Sequence, residues 1–260
     1  MFHQLVSLLS FIGRSTNHHG IHSPFVYDLV TKCFYSSQKK YSKEFSLINN
    51  YRNSLYQNFN LIEVSDFGAG SKVFKSNKRK VSAIAKNAGI SKKRTILLVK
   101  IVQYFNPSQI LEIGTSLGIG AASLSIGYPK SKITTLEGCT ETSKIAQENI
   151  DKFELGNINL IIGDFKDTLQ SVLRNQVFDL IYFDGNHQKE ATIEYFELCL
   201  ETAHNETVFI FDDIHWSKEM EEAWNYIKDN NNVTVSIDTY QWGIVFFRKE
   251  QPKEHFIIRV

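Results

Sequence analysis

The chain has 260 residues, with 29 Lys+Arg against 28 Asp+Glu and a formal charge of +1. That length allows one large α/β core with an appendage, and 42% hydrophobic with 13% aromatic residues excludes global disorder. The neutrality is an average, since residues 1–94 carry 15 Lys/Arg and 4 Asp/Glu while residues 95–260 carry 14 and 24.

The opening residues, MFHQLVSLLSFIGR, place Phe2, Leu5, Val6, Leu8, Leu9 and Ile12 at a helical period. They lack a basic leader and a small-residue cleavage site, and no apolar run reaches the roughly 20 residues of a membrane span. A cytoplasmic, soluble protein is expected. A histidine-rich turn follows (His18, His19, His22), too loosely spaced for a metal site and read as surface or pocket-lid residues. Ser23-Pro24 then opens a second helix through Tyr35, with Pro at its first turn. Residues 43–58 read as a third helix. The glycine-rich Phe67–Ser71 is read as a turn, because no acid occurs between Asp66 and Glu112 to serve a nucleoside there. Residues 72–94 hold nine Lys/Arg and no acid, and are read as a loop plus a short helix over Val81–Ala88. Residues 1–94 thus form a helical cap with a basic loop, and residues 95–260 the core.

From Thr95 a helix runs to Asn106-Pro107. Apolar runs then alternate with amphipathic segments: QILEIG, KITTLEG, INLIIGD, FDLIYFDG and TVFIFDDI are the candidate strands. Continuous apolar strands separated by helices predict a parallel sheet covered on both faces. TVSIDTY and WGIVFFRK are separated by so short a link that they must form a hairpin, which makes one terminal strand antiparallel. Cys33, Cys139 and Cys199 are too scattered for a disulfide framework or a zinc cluster.

The strongest chemical signal is the stretch Ile110–Gly120. An apolar strand ends in Gly114, followed by Thr115, Ser116 and Gly118, and a helix begins. Glycines there let the backbone turn tightly and approach a ligand at the helix start. A dinucleotide fingerprint is excluded because Ser116 stands where its second glycine belongs. Glu137 ends the next strand, where a carboxylate can accept hydrogen bonds from ribose hydroxyls. Asp164 ends the third, placed to meet the exocyclic amine of an adenine. The three give a nucleoside site without a pyrophosphate cradle.

Glu112, Gly114 and Gly118 as ExGxxxG, then Glu137, then Gly163-Asp164, resemble the class I S-adenosylmethionine-dependent methyltransferases over about residues 80–250. The resemblance implies a Rossmann-like α/β fold, with a mostly parallel seven-stranded sheet of order 3-2-1-4-5-7-6. It also implies a cofactor site built from Glu112, Gly114, Thr115, Ser116, Gly118, Glu137, Gly138, Asp164, Phe165 and Asp184. Ser91, with Ile90, would reach the cofactor's methionine end.

FDLIYFDGNH and FIFDDIHW look, more narrowly, like the metal-dependent catechol and caffeoyl-CoA type O-methyltransferases and their relatives. That resemblance implies metal ligands at Asp184, Asp212 and Asp213, with Asp213 standing where the family carries Asn. An all-oxygen set suits Mg²⁺ or Mn²⁺. The other reading of these acids is turn chemistry or helix capping. His187 lies where the family carries a catalytic lysine and can act as general base beside Asp184, or cap the following helix. His215 and Trp216 either border the substrate pocket or pack on their loop.

The expected reaction is methyl transfer to the hydroxyl of a small or carrier-bound acceptor, which the basic segment 72–94 suggests is anionic. The rivals are a tRNA or other nucleic-acid methyltransferase on the same core, and an inactive fold serving as a binding module. A homodimer is compatible with either.

Overall fold

A computed structural model describes residues 2–65, 76–174 and 176–260. The expected glycine turn Phe67–Ser71 and the cations Lys72 and Lys75 lie outside the described residues. In chain order come α1 (Phe2–Arg14), α2 (Pro24–Asp28), α3 (Ser42–Tyr56), β1 (Leu61–Glu63), β2 (Lys78–Lys80), α4 (Val81–Asn87) and α5 (Lys92–Phe105). The alternating part follows as β3 (Gln109–Ile113), α6 (Ile119–Gly127), β4 (Lys132–Glu137), α7 (Thr140–Lys152), β5 (Ile158–Ile162), α8 (Phe165–Leu173), β6 (Leu180–Phe183), α9 (Lys189–Leu200), β7 (Val208–Asp212) and α10 (Lys218–Asp229). The chain closes with β8 (Val235–Asp238), β9 (Trp242–Phe246) and β10 (Glu254–Ile257).

The chain divides into two compact units, residues 36–171 and residues 1–35 with 172–260. The expected boundary at residues 94 and 95 falls inside the first, where α3 packs on α6 and α5 runs along α6. In this unit β3, β4 and β5 are parallel, with Glu112 opposite Thr135 and Glu137 opposite Ile162. The strands β3 and β4 bury nearly every residue, as strands covered on both faces do, with Glu112, Thr134 and Thr135 among the buried ones. Local chemistry sets the helix ends: Ser91 caps α5, and Asn106 in a left-handed conformation (φ 51°) closes it before Pro107.

The second unit orders its strands β10-β8-β9-β7-β6. β6 and β7 are parallel, and β9 runs antiparallel to both β7 and β8. Thr239, Tyr240 and Gln241 link β8 to β9, with Tyr240 left-handed (φ 72°), as a short hairpin requires. Phe183 stacks on Phe211 at 4.2 Å, and Phe196, Phe209 and Trp242 complete the core. Ser23 caps α2 with Pro24 in its first turn, and the helix continues as a π-helical turn to Phe34.

The two strand sets reproduce 3-2-1 in the first unit and 4-5-7-6 in the second, but two expectations are corrected. Among the described residues the set β3–β10 has one strand more than the seven expected, because β10 adds to the free edge of β8 in parallel. Lys78, Arg79 and Lys80 are not loop but strand, paired antiparallel with Leu61–Glu63. Three consecutive cations are poor strand formers, and partner pairing overrides their propensity. Among the described residues no helix is long and apolar enough to cross a membrane.

Candidate active site

The unit of residues 36–171 brings together the first expected cluster. β3 delivers the chain into a turn with Gly114 at φ 108°, Ser116 at φ 49° and Gly118 at φ 77°. The N–H groups of Gly114 and Thr115 both donate to the Leu136 carbonyl at 3.0 Å, and Gly118 N–H closes the turn on the Thr115 carbonyl at 2.8 Å. Glycine at 118 is required twice over. Its φ disfavours a side chain, and a Cβ would sit 2.5 Å from the Tyr51 hydroxyl. That hydroxyl donates to the Leu117 carbonyl at 3.0 Å, so α3 braces the turn from outside.

Glu137 ties the turn to the end of β4. Its carboxylate accepts from Ser116 N–H at 2.6 Å and, through the other oxygen, from Cys139 N–H at 2.9 Å. Burial pushes its pKa up, against the pull of these backbone donors and Gly138. With the Thr142 hydroxyl as a fourth donor, the roughly four acceptor positions of a carboxylate are all engaged, so a ribose hydroxyl would share or displace one of these donors.

Glu112 is fully buried. One oxygen accepts from the Thr135 hydroxyl at 2.5 Å and the other, Oε1, has no partner. Burial pushes its pKa to about 8, with Thr135 opposing and the Glu137 charge assisting. Thr115 and Thr135 share a hydroxyl–hydroxyl contact of 2.5 Å beneath the turn.

Asp164 is exposed and accepts from Lys166 N–H at 2.9 Å, with Phe165 half-buried beside it as α8 begins. It therefore has a capping duty alongside any adenine contact. Ser91 also caps, accepting from Arg94 N–H at 3.3 Å, with Ile90 buried next to it.

The second cluster lies in the other unit. Asp184 follows β6, His187 comes three residues later, and Asp212 ends the neighbouring β7. One ligand atom from each lies within 4.8 Å of the others. His187 Nε2 is 3.9 Å from Asp184 Oδ1. Their neighbours hold them: the Tyr182 hydroxyl donates to Asp184 at 3.1 Å, and Trp242 Nε1–H donates to Asp212 Oδ1 at 2.8 Å. Asn186 and His187 are successively left-handed (φ 70° and 43°), a costly arrangement for non-glycine residues that aims the imidazole back at the carboxylates. Two carboxylates and one imidazole fit a divalent ion, with Mn²⁺ tolerating the nitrogen better than Mg²⁺.

Of the three expected metal-binding acids, Asp213 is not in this group. Its left-handed backbone (φ 53°) turns the chain into a loop closed by Trp216 N–H on its carbonyl, and His187 takes the third place. His215 is buried against its neighbours. Its ring nitrogens meet Glu221 at 2.6 Å and Asp238 at 2.9 Å, and it stacks on Tyr240. Burial lowers its pKa, but the two carboxylates outweigh this and hold it above the ordinary histidine value. His18 and His19 pack ring on ring at 4.0 Å and join no metal-compatible group among the described residues. Tyr51 carried no sequence signal, since its position reads as ordinary helix.

Residues 111–214 match the family model described as a methyltransferase domain. The chain carries a methyltransferase domain. The matched segment begins one residue before Glu112 and ends two after Asp212, so it contains every expected residue of both clusters except Ser91 and its neighbour Ile90. A curated relative, the protein-L-isoaspartate O-methyltransferase of Methanococcus vannielii, is 36% identical over 90 residues, 34% of this chain and 42% of that protein. The ribosomal RNA small subunit methyltransferase G of Leuconostoc citreum is 28% identical over 83 residues, 32% of this chain. The chain thus spans about a third to two fifths of these relatives' lengths. Among solved structures, the O-methyltransferase from Bacillus cereus in complex with SAH superposes with a TM-score of 0.53 at 24% identity, covering 62% of this chain and 83% of that one. The fold of the methyltransferase domain is that of class I.

Proposed function

We propose that the chain is an S-adenosylmethionine-dependent methyltransferase acting on the hydroxyl of a small or carrier-bound acceptor. The observation that carries the acceptor chemistry is the convergence of Asp184, His187 and Asp212 at the ends of β6 and β7. The donor reading is supported by the Gly114–Gly118 turn, the Glu137 tie and the Oε1 atom of Glu112, which lacks a partner. The Bacillus cereus neighbour's bound SAH supports the same ligand.

Bound S-adenosylmethionine would supply a methyl group on a sulfonium, released to an acceptor oxygen as the carbon–sulfur bond breaks. Glu137 would hold the ribose by sharing or exchanging one of its present donors for a ribose hydroxyl, and Asp164 would meet the adenine. Gly114, Thr115, Ser116, Gly118 and Gly138 would keep the backbone close to the ligand. Asp184 would place the acceptor hydroxyl, and His187 Nε2 would take its proton as the oxygen becomes the nucleophile. Orientation does most of the remaining work. Alternatively, a divalent ion would be held by Asp184, Asp212 and His187, and the ion, in place of the imidazole as base, would favour the deprotonated hydroxyl.

The test is calorimetry with S-adenosylhomocysteine. Glu137→Ala should weaken binding by about 1–3 kcal/mol, the cost of leaving donors unpaired. Absence of heat with the wild type, or unchanged affinity in the variant, removes the donor reading. An RNA acceptor is the second reading, favoured by the ribosomal RNA methyltransferase relative and by the cations at 78–94. Its mark is salt dependence: about six phosphate contacts would cost about a thousandfold in RNA affinity between roughly 50 and 200 mM salt. A small anionic acceptor would lose only several-fold.

A further inference from the structure

Arg52 on α3 is 2% exposed, yet among the described residues it has no carboxylate partner. Its Nη2 donates to the Ile90 carbonyl at 2.5 Å and to the Thr95 hydroxyl at 2.6 Å, while its Nε–H is buried without an acceptor. A buried guanidinium satisfied only by neutral oxygens retains its charge and an unused donor, an arrangement that favours an incoming anion. The side chain is held at the Ile90–Ser91 corner, and its neighbour Tyr51 holds the Leu117 carbonyl in the glycine turn. Adjacent residues of one helix thus grip the glycine turn and the Ile90–Ser91 corner, the latter expected at the methionine end of the ligand.

The charges of the methyl donor narrow the ligand class. Its adenosine is neutral and its sulfur is positive, so the only anion it carries is the carboxylate of its amino-acid end. A planar guanidinium is shaped to meet a carboxylate. In the same unit, the unpartnered Glu112 Oε1 is a buried acceptor suited to the ammonium of that same end. Resting on the reading that this unit binds the methyl donor, we propose that Arg52 is a binding residue for the carboxylate of the donor's amino-acid end. It lies outside residues 111–214, the segment matched by the family model.

The experiment titrates wild type, Arg52→Gln and Arg52→Lys with two ligands: S-adenosylhomocysteine, and 5′-methylthioadenosine, which keeps adenine, ribose and thioether but lacks the amino-acid end. Arg52→Gln should weaken S-adenosylhomocysteine about 10- to 100-fold, the loss of a charge-assisted hydrogen bond. It should change 5′-methylthioadenosine less than about threefold, and Arg52→Lys should recover part of the loss. Equal weakening of both ligands would make Arg52 a brace for the loop and overturn the proposal, as would unchanged affinity for both. Thermal unfolding and circular dichroism identify a variant that fails to fold, in which case Arg52→Lys alone decides, by selective or equal loss. A wild type that binds neither ligand overturns the donor reading itself, a result distinct from the other two.

Discussion

The two units treat their strand-end acids in opposite ways. In residues 36–171 the acids are absorbed by the fold: Glu112 is buried on Thr135, and Glu137 is tied by the backbone of Ser116 and Cys139. In the other unit Asp184 and Asp212 are held from the side by Tyr182 and Trp242, and they converge with His187. The backbone follows the same division. In the first unit the turn after β3 uses Gly114 and Gly118 on either side of the left-handed Ser116, whereas the second unit has Asn186, His187, Asp213 and Tyr240 in left-handed conformations with no glycine among them. Glycine lets the backbone of the first turn come close to whatever lies against it, while the left-handed residues of the second unit present side chains at their turns. On the proposed function, the first arrangement would serve the methyl donor and the second the acceptor.

The largest expected effect separates the two. Asp184→Ala should lower turnover at least about a hundredfold, the usual scale for loss of acid–base assistance, while S-adenosylhomocysteine affinity stays within about threefold. Stopped turnover with intact binding is the outcome that keeps the comparison. Exhaustive chelation refines it. Loss of activity restored by Mn²⁺ or Mg²⁺ makes the cluster a metal centre, whereas full activity after chelation leaves His187 acting as base without one. If His187→Ala were also fully active, neither route would stand.

A middling effect tests the other unit through pH. Unfolded, Glu112 loses its proton near 4.5; folded, burial delays this to about 8. Between those values folding takes up a proton, so this residue's contribution to stability falls as pH rises from about 4.5 to about 8 and then levels off. Glu112→Gln removes that slope. Its unfolding midpoint relative to wild type should rise by about 4 °C or more between pH 5 and pH 8.5. A difference that does not change with pH would mean that Glu112 is not held protonated.

Much of this was legible in the sequence where a single residue type answers a single local demand. Gly114, Gly118, the Ser23-Pro24 helix start, the stop at Asn106-Pro107 and the β8–β9 hairpin all follow from backbone geometry. The features that escaped depend on distant partners. β10 exists because β8 has a free edge, and β2 because Leu61–Glu63 pairs with three cations. Tyr51 and Arg52 sit in an ordinary helical pattern, and only the fold brings them to Leu117 and Ile90. The adjacent pair Asp212-Asp213 reads as two equivalent acids, because a sequence does not display the left-handed turn that separates them.

The smallest effect isolates that last point. Asp213 carries left-handed strain of the order of 1 kcal/mol, which glycine would relieve at some cost in unfolded-chain entropy. Asp213→Gly should therefore leave stability unchanged or raise it by up to about 1 kcal/mol in urea unfolding. Because Asp213 is not among the converging ligands, turnover should stay within about threefold of wild type. Asp212→Asn, one residue earlier, should behave oppositely. It keeps the acceptor for Trp242 Nε1–H, and therefore the fold, but removes the charge that faces Asp184 and His187, so turnover should fall steeply. If Asp213→Gly abolished activity as Asp212→Asn does, both acids would serve the site, and the left-handed turn would be holding Asp213 for that purpose.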